Sequence, residues 1–195
     1  RDEINPFIQL LWEKGNAFEH EVVSNASIPM LDLSNYPGEE KEAETLIALE
    51  RKVPLIYGGR ISTDDLLGQP DLLRLENGAY IAGDIKSGSG LEGFSNAPIL
   101  KKHYGVQLCL YTDILERKGF SAGRRAFVWD VHNEEIAYDL LETQGSRNPW
   151  TIWNLYERTL AEARNIVSGN LVTKAANGGT CKLCHWYSSC MQALE

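Results

Sequence analysis

At 195 residues, with 43% apolar composition and a net charge of −8, the chain has the make-up of one soluble domain with a full core. No apolar run approaches the roughly 18 residues of a membrane span, and the acidic balance argues against a protein that coats nucleic acid through phosphate neutralisation alone. A basic cleft remains possible, because Lys101-Lys102-His103 and Arg124-Arg125 form local basic patches while the acids gather between Glu39 and Glu50 and between Glu134 and Glu142. The chain opens at Arg1 without an initiator Met or an apolar leader. It therefore reads as an excised or processed piece, and the expected location is cytoplasmic.

Asn5-Pro6 offers a capping residue followed by proline at the first helical position, which predicts a helix to about Val23. Phe7, Leu10, Leu11, Lys14 and Phe18 share one of its faces. His20 falls about 200° around from Phe18, off that stripe, and is either a metal ligand or a partly exposed helical histidine. Ile28 to Leu33 reads as extended and Glu39 to Lys52 as a helix with acids in its first turn and bases in its last. The acids Glu42 and Glu44 are read as a solvated face, with metal ligation the alternative. Val53 to Arg60 reads as a strand and Ser62 to Gly68 as a connection.

Two strand-like runs then flank Asn77-Gly78, the dipeptide best suited to a two-residue type I′ turn. In that register Glu76 faces Ala79, and Asp71 falls opposite Asp84. Opposed β-carbons stand about 4.5–5.5 Å apart, so two like charges repel there unless a cation bridges them. Lys86 emerges on the same face as Asp84. Ser87 to Gly93 reads as a flexible loop without a phosphate-binding pattern, a candidate flap. Pro98 to Lys118 is the next helix, with Tyr104, Gln107 and Tyr111 on one face. Arg124 to Val131 and Glu135 to Leu140 read as strands around His132-Asn133. Pro149 to Val167 is a helix with Trp150, Trp153, Leu155, Tyr156 and Leu160 toward the core.

Four cysteines occur, three of them in the pattern Cys181-x2-Cys184-x5-Cys190. Such spacing without secretory signals favours a metal site over disulfides. Cys109, about 200° around its helix from Gln107, is read as a small core hydrophobe. His185 leaves a Cys3His zinc site open as an alternative.

Pro70-Asp71 followed by Asp84-Ile85-Lys86 resembles the PD-(D/E)xK motif of the restriction-endonuclease-like nucleases. Gln107-Leu-Cys-Leu-Tyr111 is similar to the Q-x-x-x-Y motif of their RecB-type branch. Gly15-Asn-Ala-Phe-Glu-His20 resembles that branch's N-terminal motif, in which a helical histidine completes the metal site. The cysteine pattern resembles the iron-sulfur site of CRISPR-associated and helicase-associated members, whose fourth cysteine lies upstream of the first motif. No cysteine precedes Cys109 here, so the expectation is a site left incomplete at the N-terminus.

The resemblance implies an α/β fold with a mixed central sheet flanked by helices. It implies one nuclease domain over residues 1–195, with a cysteine-rich segment at about 181–190. It further implies Mg²⁺- or Mn²⁺-dependent hydrolysis of DNA, by an exonuclease preferring single strands. Asp71, Asp84, the carbonyl of Ile85 and His20 would hold the metal, Lys86 would serve the attacking water or the transition state, and Gln107 and Tyr111 would position them. A [4Fe-4S] cluster on Cys181, Cys184 and Cys190, with zinc as its alternative, and a helicase or CRISPR adaptation partner follow from the same resemblance. The competing readings are an inactive nuclease fold used for DNA binding or complex assembly, and a zinc-stabilised interaction domain.

Overall fold

The computed structural model describes residues 4–26, 28–93, 99–145, 147–179 and 181–194. The chain runs as α1 (Pro6–Asn25), β1 (Leu31–Asp32), α2 (Gly38–Glu50), β2 (Leu55–Tyr57), β3 (Ile61–Thr63), β4 (Leu66–Gly68), β5 (Leu72–Glu76), β6 (Ala79–Ile85), β7 (Leu91–Glu92) and β8 (Ile99–Leu100). It continues as α3 (Lys102–Arg117), β9 (Ser121–Trp129), β10 (Glu135–Asp139), α4 (Ile152–Val167), a 3-10 turn at Cys181–Leu183 and α5 (Tyr187–Gln192). Six strands form one mixed sheet in the order β1-β2-β5-β6-β9-β10. The pairs β1·β2 and β6·β9 are parallel, and β2·β5, β5·β6 and β9·β10 are antiparallel. This is the mixed, helix-flanked sheet expected from the sequence. Among the described residues no helix is long and apolar enough to cross a membrane.

The strand at the centre is buried on both faces, and its alternation separates two cores. Tyr80 and Ala82 point to the side covered by α2, α3 and α4, where Leu49, Leu108, Ile114 and Trp153 pack. Ile81 and Ile85 point to the other side, where Phe18, Val22 and Val23 of α1 pack with Leu55, Leu72 and Phe127. Asp84 has the parity of Tyr80 and Ala82 and so belongs to the α3 side.

Several boundaries differ from expectation. Asn5 caps α1 by accepting from Phe7 N at 2.9 Å, as its sequence suggests, but the helix continues to Asn25. Phe7, Leu10, Leu11 and Trp12 are exposed, Phe7 by 54%, so only the C-terminal half of α1 uses its apolar stripe against the sheet. The α2 helix stops at Glu50 because Lys52 adopts a left-handed φ of 56°, which leaves Arg51 and Lys52 beyond its last turn. Ser62 to Gly68 is a β-hairpin rather than a plain connection, turned by Asp64 at φ 51°. Ile99 and Leu100 pair with β7 instead of joining α3, and the expected helix start at Pro98 lies outside the described residues. Thr151 caps α4 by accepting from Asn154 N at 3.0 Å, so Pro149 and Trp150 precede the helix. The loop after Lys86 is clamped at Gly90, whose N–H donates to Asp130 Oδ2 at 3.0 Å and whose carbonyl accepts from Tyr138 OH at 2.7 Å. That anchoring replaces the free flap expected there.

Gly83 shows how tightly the central strand is packed. A Cβ there would lie 2.3 Å from Phe127 Cζ, inside the ring's contact distance. Gly83→Ala is expected to destabilise the fold by about 1–3 kcal/mol through overpacking, despite the better strand propensity of alanine, and Phe127→Leu should recover part of the loss. Urea denaturation measures both; an alanine variant as stable as the parent would contradict this packing.

Candidate active site

The geometry begins at the turn. Asn77 and Gly78 take φ of 51° and 88°, the two positive values a type I′ turn needs. The resulting pairs run from Glu76↔Ala79 to Leu72↔Gly83, so the next step outward sets Asp71 against Asp84. Asp71 is held in place twice. Its carbonyl accepts from Gly58 N at 2.8 Å, and its Oδ2 accepts from Ile85 N at 2.7 Å.

Asp84 is only 1% exposed. Both of its carboxylate oxygens are buried, and neither accepts a hydrogen bond. Lys86 Nζ stands 2.8 Å from Asp84 Oδ2, an ion pair that compensates the buried carboxylate from one side. The same ammonium donates to Gln107 Oε1 at 3.2 Å, and Gln107 Nε2 donates to the Tyr111 hydroxyl at 2.6 Å. Gln107 and Tyr111 are one helical turn apart on α3, so their spacing of four aims both side chains at the same edge of the sheet. The Tyr104 ring, one further turn back, lies 5.3 Å from Lys86 Nζ. The structure thus gathers Asp71, Asp84, Lys86, Gln107 and Tyr111 into one connected group. Gly68 makes room for it: a Cβ there would sit 2.6 Å from the Tyr111 ring.

His20 is not part of that group. It is exposed on α1, whereas its neighbour Glu19 accepts a hydrogen bond from Tyr57 OH at 2.8 Å. Glu19, Tyr57, Asp71 and Lys41 line one cleft of about 220 Å³. Phe18, Val22 and Val23 seat the helix on the sheet. One step of about 100° from Phe18 then carries Glu19 around the sheet's end, whereas two steps carry His20 to solvent. Glu19, on the cleft beside Asp71, is a candidate that sequence reasoning missed. The signal for it was the second half of the apolar stripe, at Phe18 and Val22, rather than the first. Glu42, weighed above as a ligand, instead pairs with Arg60 at 3.2 Å and accepts from the Ser62 hydroxyl.

Electrostatics bear the cluster out. The Asp71 carboxyl is held far above the ordinary carboxylate range, first by burial and then by the charge of Asp84, with a smaller push from Glu19; the Ile85 N–H and Lys86 relieve only part of this. Burial alone would lower the Lys86 ammonium, but the charge of Asp84 overcomes it and holds the group above its usual value. The Tyr111 hydroxyl is pushed up by burial and by Asp84, and the Tyr57 hydroxyl by burial and by Glu19, so both stay neutral, Tyr57 donating to Glu19 and Tyr111 accepting from Gln107.

These residues suit a divalent cation. Two crowded carboxylates that resist joint ionisation, one with unsatisfied buried oxygens, supply hard oxygen donors to Mg²⁺ or Mn²⁺. Among the described residues no three His, Cys, Asp or Glu side chains stand close enough to hold an ion, so Asp71 and Asp84 are candidate donors and not a completed ligand set.

The same observation applies at the C-terminus. Cys181 Sγ accepts from Gly178 N at 3.1 Å, while Cys184 is exposed and Cys190 half-buried on α5. The described residues supply three thiols there and no gathered fourth ligand, so they do not by themselves complete a [4Fe-4S] or closed zinc site, as the missing upstream cysteine leads one to expect. Cys109 packs in the core beside Leu108, its thiol pushed up to about 12 by burial, which excludes it as a ready ligand.

A family model described as the PD-(D/E)XK nuclease superfamily matches residues 14–191. No curated protein matches the chain.

The raised Asp71 carboxyl predicts a pH dependence. The folded metal-free protein holds this proton more tightly than the unfolded chain, so the stabilisation it provides is full below the ordinary carboxylate range and is lost as pH rises toward about 8. Asp71→Asn keeps the acceptor for Ile85 N and removes the titration. In EDTA the wild type should lose more of its urea midpoint between pH 5 and pH 8 than Asp71→Asn; equal losses would show that the pair does not repel.

Proposed function

We propose, for a chain that belongs to the PD-(D/E)XK nuclease superfamily, a Mg²⁺- or Mn²⁺-dependent deoxyribonuclease that hydrolyses phosphodiester bonds as an exonuclease on single-stranded DNA. The observation that carries the reading is Asp84, fully buried and crowded by a second carboxylate, with only the Lys86 ammonium against one of its oxygens among the described residues. Such a pair is costly to hold without a cation.

Asp71, Asp84 and Glu19 would hold the metal, with the Ile85 carbonyl as a further oxygen donor. Glu19 takes the place assigned to His20 above, which favours hard oxygen chemistry and removes the nitrogen that would have preferred manganese. The bound ion would lower the pKa of a water and offset charge growing on the phosphate. Lys86 keeps its proton beside Asp84 and presents an ammonium at the reacting phosphate. Gln107 fixes that ammonium, and Tyr111 fixes the amide of Gln107, so α3 sets the lysine's aim.

The Q-x-x-x-Y pair, joined by a short hydrogen bond, supports the RecB-type part of the reading. Residues 1–195 would form one cytoplasmic nuclease domain, with 181–190 an appendage outside the chemistry, working beside a helicase or CRISPR adaptation protein. The alternative is an inactive nuclease fold that binds DNA or assembles a complex. The exposed apolar half of α1 favours it; the unbroken series from Asp84 through Lys86 and Gln107 to Tyr111 weighs against it.

Cleavage of end-labelled single- and double-stranded DNA in Mn²⁺ tests the proposal. Asp84→Asn should lower the rate by at least about a hundredfold, and Gln107→Ala by about 10- to 100-fold with metal affinity unchanged. Glu19→Ala should weaken metal binding, whereas His20→Ala should leave both rate and metal affinity as they were. Full activity in Asp84→Asn would overturn the assignment.

A further inference from the structure

A second polar cleft lies outside the carboxylate cluster, where α3 and α4 begin side by side. Gly105 lets them approach, since a Cβ there would stand 2.7 Å from Ile152 Cγ2. The groove between their first turns has a volume of about 460 Å³. Trp150 and Leu155 are part of its apolar floor, and Lys102, Arg158, Asn148 and Asn154 are among its polar walls. Lys102 Nζ rests 4.8 Å from the Trp150 ring centre.

The groove carries cations that the surface ion pairs leave uncommitted. Arg60, Arg74, Arg117, Arg124, Arg125 and Arg164 are all paired with carboxylates. Among the described residues, Lys101, Lys102, Arg147 and Arg158 have no carboxylate at ion-pair distance. Neither α3 nor α4 carries an acid in its first turn, so the positive helix ends add to the cations instead of being offset. On a chain of net charge −8, the two cations that line this groove, Lys102 and Arg158, are both uncommitted and suit an anion. Toward the carboxylate cluster, Lys86 and Lys101 approach the same Tyr104 ring, at 5.3 and 5.1 Å.

We propose that this groove is a subsite for a single strand of nucleic acid, with phosphates on Lys102 and Arg158 and an unstacked base on the Trp150 and Leu155 floor. Asn148 and Asn154 supply amide groups to the base edge. An aromatic floor suits an unpaired base, which a duplex keeps stacked, and the amides and ring distinguish this partner from an acidic peptide, which needs only the cations. The inference rests on the nuclease reading for its substrate class, but binding without metal tests it separately.

The experiment is fluorescence anisotropy of a labelled twelve-nucleotide oligothymidylate in EDTA. Trp150→Ala should weaken binding by about tenfold. The double reversal Lys102→Glu with Arg158→Glu, both exposed and outside the core, should weaken it by more than about tenfold and reduce the salt slope by about two. Arg51→Glu, an exposed control elsewhere, should leave affinity unchanged. Unchanged affinity and salt slope in the double reversal would overturn the proposal. So would equal displacement by polyglutamate, or a loss confined to duplex DNA. A protein that binds through the groove but cleaves nothing keeps this inference and sinks the nuclease reading; one that cleaves DNA with groove-independent affinity does the reverse.

Discussion

Two carboxylates brought face to face in a buried place set the terms for the rest of this structure. Asp84 sits on the central strand with both faces covered, and Asp71 is pinned across from it by backbone bonds that leave it no room to turn away. Burial and the charge of Asp84 push Asp71 toward holding a proton. Lys86, 2.8 Å from Asp84 Oδ2, offsets part of that charge from one side. A group this poorly satisfied is a strain reservoir unless a ligand completes it.

The surrounding elements supply what such a ligand needs. The Asn77-Gly78 turn sets the register, the β6·β9 pairing carries the strand on to Lys86, and α3 turns Gln107 and Tyr111 onto the lysine. From the opposite face, α1 delivers Glu19 around the end of the sheet. Small residues permit these approaches: Gly83 accommodates Phe127 and Gly68 accommodates Tyr111. The fold is thus tightest where it presents its charged groups.

Much of this could be read from the sequence, for definable reasons. An Asn-Gly turn dictates both its type and its register, and strand parity then places Asp71, Asp84 and Lys86 on one face without further knowledge. The four-residue spacing of Gln107 and Tyr111 is likewise local. The rotation of α1 about its axis was not, because Phe7, Leu10 and Leu11 suggested a buried stripe that the sheet does not cover, and only Phe18, Val22 and Val23 decide which side chain reaches the site. The β3–β4 hairpin was hidden for a similar reason: Asp64 takes the left-handed turn conformation without a glycine to announce it. The cysteine spacing announced a cluster that needs a fourth ligand from elsewhere, and spacing alone could not supply one.

Anomalous scattering from manganese-soaked crystals would test the central claim most directly. A peak between the carboxylates of Asp71 and Asp84, within coordination distance of Glu19 and lost in Asp84→Asn, is the predicted result. A peak ligated by His20, or none between the two carboxylates while the wild-type protein cleaves DNA in manganese, would contradict it.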